Sequence, residues 1–288
     1  MFLLKRYEDN KGGKCMKKVI ITAALTGSVP SKADFPALPV TVEEIITDAK
    51  ACHKAGAAVV HIHVRDKVTA KNCHDEDQFR EINRRLVAEC PDLIVQLSTG
   101  GRYEVDAHTR NSGLRCHPEM ASWCPGSVGF PTGAYVNTTE FYIDQAKYML
   151  EHNIKPEIEC FDTHMVQNAI DLYNDGLLTG PLYFDFVMGV KRAQPATLQQ
   201  LGHLLSMLPK DAEWNLAGVS THQVNTILWA LGGGGHVRVG LEDNQYLSKG
   251  VKATNVALVE RVVKIAKEIG REIATGAQAR EMLGIKKR

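Results

Sequence analysis

The sequence predicts an α/β protein of the (β/α)₈ class, a TIM barrel in a single domain. Short apolar runs alternate with helix-like stretches from Lys18 to the end of the chain, eight times over. Eight strand–helix units in about 250 residues is the size of such a barrel. No internal repeat, low-complexity tract or linker divides the chain, so residues 17–288 read as one barrel domain with a C-terminal helix. A doubly wound open sheet is the alternative arrangement. The 288 residues, 44% hydrophobic and 23% charged, suffice for one large core.

The elements follow in order. Residues 1–16 are polar and lack the apolar stretch of a secretory signal. They read as a loose extension, with Met16 as an alternative start. Strands are expected at 18–25, 58–64, 93–98, 119–124, 156–161, 183–189, 213–219 and 236–241. Helical patterns lie near 42–55, 76–90, 139–153, 163–175, 196–208, 221–231 and 252–269. Only the stretch after the third strand lacks one. Thr41-Val42-Glu43-Glu44 has the form of a capping box, and Gly56 and Gly176 read as helix stops. The run Gly232 to Gly235 ends a helix and precedes a strand. A phosphate-binding loop needs the reverse order, so the run is a connection. Thr275 to Arg288 holds a helix-like piece and a basic tail, expected against a neighbouring subunit.

Composition excludes several classes. Formal net charge is +1, which gives no global attraction to nucleic acid or an anionic membrane. No apolar run is long enough to span a bilayer. The seven scattered cysteines form no C-x-x-C pair, which fits a reduced cytoplasm.

Side-chain parity then locates the chemistry. Alternate residues of a strand share a face. In Val59 to Arg65 the apolar Val60, Ile62 and Val64 take one face, and Val59, His61, His63 and Arg65 the other. Two imidazoles so placed suit one transition metal; the alternative is a pair of hydrogen-bonded core histidines. By the same parity Arg238 and Glu242 point inward from strand eight, Gln96 and Ser98 from strand three, and Glu157, Glu159 and Phe161 from strand five. That many buried charges need partners or a metal. Barrel active sites lie at the C-terminal strand ends, where His61, His63, Ser98, Glu242 and Asp243 fall. Strands eight, one and two are neighbours in a closed barrel. Glu242 can therefore join the two histidines as a third ligand, leaving a position open as in catalytic zinc sites. Its alternative is a salt bridge to Arg238. The long, Pro-containing loop 26–41 suggests a pocket wall. In Ser98-Thr99-Gly100-Gly101, the glycines suggest close approach of a ligand to backbone N–H groups.

At this point the sequence resembles a family. T-A-A-L-T-G at 22–27, HIHVRD at 61–66, Q-L-S-T-G-G at 96–101, H-P-E-M-A-S at 117–122 and V-R-V-G-L-E-D at 237–243 resemble the β-keto acid cleavage enzymes, over about 17–283. The resemblance implies a zinc-dependent barrel, homo-oligomeric and often tetrameric. It converts a β-keto acid and acetyl-CoA into acetoacetate and a new acyl-CoA by a retro-Claisen step. It further implies His61, His63 and Glu242 as zinc ligands, and Arg238 and Asp243 as the pair handling the substrate's α-proton. Ser98, Gly101 and Ser122 would contact substrate, beside Thr99, and Glu159 would be an acidic residue near the site. Aminohexanoate-cleaving members carry a Glu that pairs with the substrate ammonium; here Val29 stands at that position, which suggests an uncharged or apolar tail. Lys191 and Arg192, then Arg102, are the cations considered for the CoA phosphates. A metal-dependent aldolase or lyase acting without CoA is the alternative function. A zinc amidohydrolase is more distant, because it needs histidines on strands five and six.

Overall fold

A computed structural model describes residues 16–101, 105–130 and 133–286. The proposed extension and Arg102 lie outside these residues. Eight parallel strands close into a barrel. They are β1 (Ile21–Ala24), β2 (Val59–Ile62), β3 (Ile94–Leu97), β4 (Met120–Trp123), β5 (Lys155–Cys160), β6 (Tyr183–Met188), β7 (Glu213–Gly218) and β8 (His236–Val239). β1 pairs with both β2 and β8, so the sheet has no free edge. The open-sheet alternative is thereby excluded.

The helices are α1 (Val42–Ala55), α2 (Glu76–Glu89), α3 (Ala107–Arg110), α4 (Thr139–Glu151), α5 (Thr163–Asn174), α6 (Leu198–Met207), α7 (Gln223–Gly233), α8 (Asn255–Glu268) and α9 (Gly276–Leu283). α3 is a single turn, followed by a 3₁₀ turn at Leu114–Cys116. Two short turns bury too little to show a helical stripe. Three two-stranded ribbons were also invisible in the sequence: Val64–Arg65 with Asn72–Cys73, Val128–Phe130 with Gly133–Tyr135, and Tyr246–Ser248 with Val251–Lys252. They follow the C-terminal ends of β2, β4 and β8.

Local chemistry fixes the boundaries. α1 opens on its capping box: Glu44 N–H donates to Thr41 Oγ1, and Thr41 N–H to Glu44 Oε2. It ends at Gly56, whose φ of 124° suits glycine. Gly235 has a different reason, since a Cβ there would lie 2.4 Å from the Trp214 ring.

Two apolar layers divide the interior. Val60, Ile62, Val95, Leu97, Val237 and Val239 face outward to the helices. Inside the barrel Ile20, Val59, Ile94, Met120 and Tyr183 form an apolar floor, sealed by Ala279 and Leu283 of α9. The buried face of α9 is thus spent on its own barrel, where the sequence suggests a neighbouring subunit. Arg280 holds it there by hydrogen bonds to Glu119 and to the carbonyl oxygens of Asp92 and Leu93. Above the floor sit the fully buried polar residues Thr22, Gln96, Glu157, Asp185 and Asn215. Among the described residues no helix is long and apolar enough to cross a membrane. The six described cysteines are free.

Gly240 joins the end of β8 to Glu242. A Cβ there would lie 1.9 Å from the carbonyl oxygen of Ala24. We expect Gly240→Ala to cost about 1–3 kcal/mol through forced separation of β8 from β1. Thermal melting checks this, and an unchanged midpoint would show that the two strands part there freely.

Candidate metal centre and acid cluster

His61 lies on β2 and His63 follows it directly, both on the inner face and both buried. His61 Nδ1 lies 2.6 Å from Gln96 Oε1 on the neighbouring β3. The amide oxygen accepts only, so Nδ1 carries the proton and Nε2 is left with a lone pair. Burial pushes the imidazole down to about 3, so His61 is neutral at pH 7. Glu242 reaches over from the turn after β8. Its Oε2 is 3.5 Å from His61 Nε2, and its Oε1 is 3.5 Å from His63 Nε2.

This donor set fits a divalent ion. His61 Nε2 and Glu242 Oε2 are both buried and lack any hydrogen-bond partner. Two facing acceptors are costly unless something positive sits between them. Ligand bonds of about 2.0–2.2 Å place tetrahedral neighbours roughly 3.3–3.6 Å apart, and the observed 3.5 Å separations agree. The backbone of Gly27 closes over this carboxylate. A Cβ at Gly27 would lie 2.6 Å from Glu242 Cγ, and its φ is 62°. Arg65 secures that loop by donating to the carbonyl oxygens of Thr26, Gly27 and Pro30. Strand parity puts Arg65 on the face of His61 and His63, but its spacing does not reveal the loop it holds.

Arg238 links the ligand cluster to an acid cluster. Its guanidinium donates to Glu242 (2.8 Å), to both oxygens of Asp243 (3.0 and 3.2 Å) and to Glu159 (2.9 Å). Asp185 lies 3.4 Å away and Glu157 3.8 Å. Glu242 therefore makes the salt bridge to Arg238 and also faces both histidines. Burial opposes its ionisation, but positive charge around it, that of Arg238 where His61 is neutral, outweighs burial and holds it well below the usual carboxylate range. The other acids move the opposite way. Burial, against the pull of Arg238, raises Glu159 and Asp243. Burial raises Glu157 to about 7, and burial followed by the nearby Glu157 raises Asp185 well above its ordinary value. Parity places Glu157 in the interior, but Asp185 was missed. The signal was available: an acid flanked by Phe184 and Phe186 in a strand.

The loop after β3 differs from expectation. Gly100 N–H donates to Ser98 Oγ, and Thr99 N–H donates to Ser122 Oγ. Thr99 Oγ1 also donates to the carbonyl oxygen of Ser122. Those two N–H groups are used within the protein; among the described residues only the Gly101 N–H of this pair of glycines is left. The loop is close to the metal centre: a Cβ at Gly100 would lie 3.2 Å from Ser98 Oγ and 3.5 Å from the His63 ring. Val29 is 72% exposed in the loop after β1. Lys191 and Arg192 are exposed in the turn after β6, where Arg192 takes a left-handed φ of 73°.

Comparisons agree with this geometry. Residues 18–285 match the model of the family described as beta-keto acid cleavage enzyme. The 3-keto-5-aminohexanoate cleavage enzyme of Fusobacterium nucleatum is 42% identical over 274 residues, 94% of this chain and 100% of that protein. The 3-oxoadipate:acetyl-CoA acetyltransferase of Cupriavidus necator is 41% identical, covering 92% of this chain and 94% of that one. Among solved structures, a binary complex of ObcA with oxaloacetate superposes with a TM-score of 0.74 at 25% identity, over 87% of this chain and 68% of that one.

His61→Ala should abolish binding of a divalent ion, read as metal content after dialysis. Gln96→Ala, which frees His61 to rotate, should weaken the affinity by about 10–100-fold. Full metal occupancy in His61→Ala would remove it from the ligand set.

Proposed function

The chain belongs to the beta-keto acid cleavage enzyme family, and from that footing we propose a zinc-dependent cleavage of a β-keto acid with acetyl-CoA as acyl acceptor. The products are acetoacetate and a new acyl-CoA. The observation that carries the reading is the Arg238 fork, which ties Glu242 beside His61 and His63 to Asp243.

In this proposal His61, His63 and Glu242 hold the ion. When bound, it supplies Lewis acidity toward a ketone and charge stabilisation for an enolate. Asp243 takes the proton from the carbon between the carboxylate and the keto group. A base whose affinity for protons is raised by burial is better matched to neutral pH than an ordinary aspartate. Arg238 keeps that base oriented through a two-bond contact, and Glu159 fixes Arg238 from the opposite side. Ser98 stands beside His63 as an oxyanion donor, with Thr99, Gly101 and Ser122 shaping the substrate wall. Across the reaction the bond between the second and third carbons of the keto acid breaks. The two-carbon fragment joins the acetyl group, and the remaining acyl group takes the CoA sulfur.

Two relatives' names support acetyl-CoA: the Cupriavidus acetyltransferase, and the 3-dehydrocarnitine:acetyl-CoA trimethylamine transferase of Rhizobium meliloti, 31% identical. Lys191 and Arg192 are proposed to meet its phosphates. Val29, where an aminohexanoate-cleaving enzyme would need an acid, argues for an uncharged tail. A homotetramer is proposed on the resemblance alone.

A metal-dependent lyase without CoA is the second reading, and a specific observation favours it. The buried cluster offers a ketone a candidate metal site and a base, and none of its groups requires a thioester. Its structural neighbour ObcA is described both with oxaloacetate and, in a ternary complex, with a C4-CoA adduct and oxalate, so that neighbour does not separate the two readings. Metal-assisted carbon–carbon bond cleavage is common to both readings. An amidohydrolase lacks its ligands, since β6 (Tyr183–Met188) has no histidine.

A panel of β-keto acids, assayed with and without acetyl-CoA, separates the two. Acetoacetate formed only with acetyl-CoA supports the acyltransferase; equal cleavage without it supports the lyase. Asp243→Asn should keep its metal and lose about 10²–10⁴-fold in kcat. An active Asp243→Asn protein would remove Asp243 as the base.

A further inference from the structure

Arg110 is 4% exposed, yet no carboxylate pairs with it among the described residues. Its guanidinium donates to four neutral acceptors: Thr99 O (3.2 Å), Val136 O (2.9 Å), Tyr135 Oη (3.0 Å) and Asn137 Oδ1 (2.6 Å). It also lies over the rings of Tyr135 and Phe141, at 4.9 and 4.4 Å. The acid nearest in sequence, Asp106, caps its own helix through Thr109. Hydrogen bonds to neutral groups fix a guanidinium but do not neutralise it, and a buried, uncompensated charge is costly.

Its position explains what compensates it. Arg110 packs directly against the loop after β3: a Cβ at Gly101 would lie 2.8 Å from Arg110 Cγ. That same loop meets Ser98 and the His63 ring at Gly100. Across the barrel mouth the charge is of the opposite sign, with five carboxylates within 4 Å of Arg238. An anionic substrate would be repelled there and attracted toward Arg110.

We propose that Arg110 is the positioning residue for the substrate carboxylate: it clamps the Thr99–Gly101 backbone and supplies the positive potential that turns the carboxylate toward β3. This deepens the β-keto acid reading and rests on it for the ligand class. Arg110 acts through the loop and touches no reacting atom.

Calorimetric titration of acetoacetate and of its methyl ester tests it, on the metal-loaded protein with no thioester present. The two probes differ in charge and by one methyl group. The wild type should bind the acid at least tenfold more tightly than the ester. Arg110→Gln should lose about tenfold for the acid and less than twofold for the ester. Arg110→Lys, which keeps the charge without the planar fork, should retain most of the acid preference. Equal weakening of both probes, no acid preference in the wild type, or Arg110→Lys as poor as a folded Arg110→Gln would overturn the proposal. If Arg110→Gln does not fold, the Arg110→Lys preference decides. A protein that shows this pattern but cleaves no β-keto acid would sink the functional reading and leave the carboxylate cradle standing.

Discussion

One guanidinium buried among five carboxylates constrains everything at the mouth of this barrel. Arg238 has Glu157, Glu159, Asp185, Glu242 and Asp243 within 4 Å. A charge pair at such a distance is worth about 4 kcal/mol at an effective dielectric constant near 20, and like charges repel by similar amounts. Five ionised acids around one cation are therefore untenable. The protein resolves this by position. Burial pushes Glu157 and Asp185, both fully buried, up: Glu157 to about 7, and Asp185 well above the ordinary aspartate value. Glu242, beside two imidazoles and Arg238, is pushed down and stays ionised. The charged acid is thus the one facing the histidines.

The fold makes this arrangement possible by separating a dry floor from a polar middle. Parallel register fixes which acids are neighbours: Asp185 pairs with Glu159 on one side and Asn215 on the other. α9 closes the lower end with Ala279 and Leu283. Water therefore reaches the acids only from the top. Exclusion from below keeps the local dielectric low, which strengthens each charge contact above it.

Much of this was legible in the sequence, and the legible part has one physical source. Strand alternation is strict, so parity alone turned His61, His63, Glu159, Arg238 and Glu242 to the same interior. The strand ends placed them at the same level. The capping box at Thr41 and the stops at Gly56 and Gly176 were equally local and equally readable. What could not be read depended on partners distant in sequence. Gln96 is an ordinary inward residue until β3 lies beside β2. Arg65 shares a face with His61 and His63 by parity, but its partners appear only when the loop after β1 folds over it. Asp185 was readable as an acid in an apolar strand. Its raised proton affinity depends on burial and on Glu157 of the neighbouring strand β5. The ribbon Val128–Phe130 with Gly133–Tyr135 is too short to show a period, yet it brings Tyr135 onto Arg110.

The two buried arginines show how charge can orient a substrate without touching it everywhere. Arg238 has five carboxylates within 4 Å, whereas Arg110 has no carboxylate partner among the described residues. A β-keto acid carries its negative charge at one end only. Under the proposed function, a mouth polarised in this way would favour the orientation with the carboxylate toward β3 and the acidic carbon toward Asp243. The ketone would then lie between the histidines and the base, and a charge pattern fixed before any ligand arrives would help select the carbon that loses its proton.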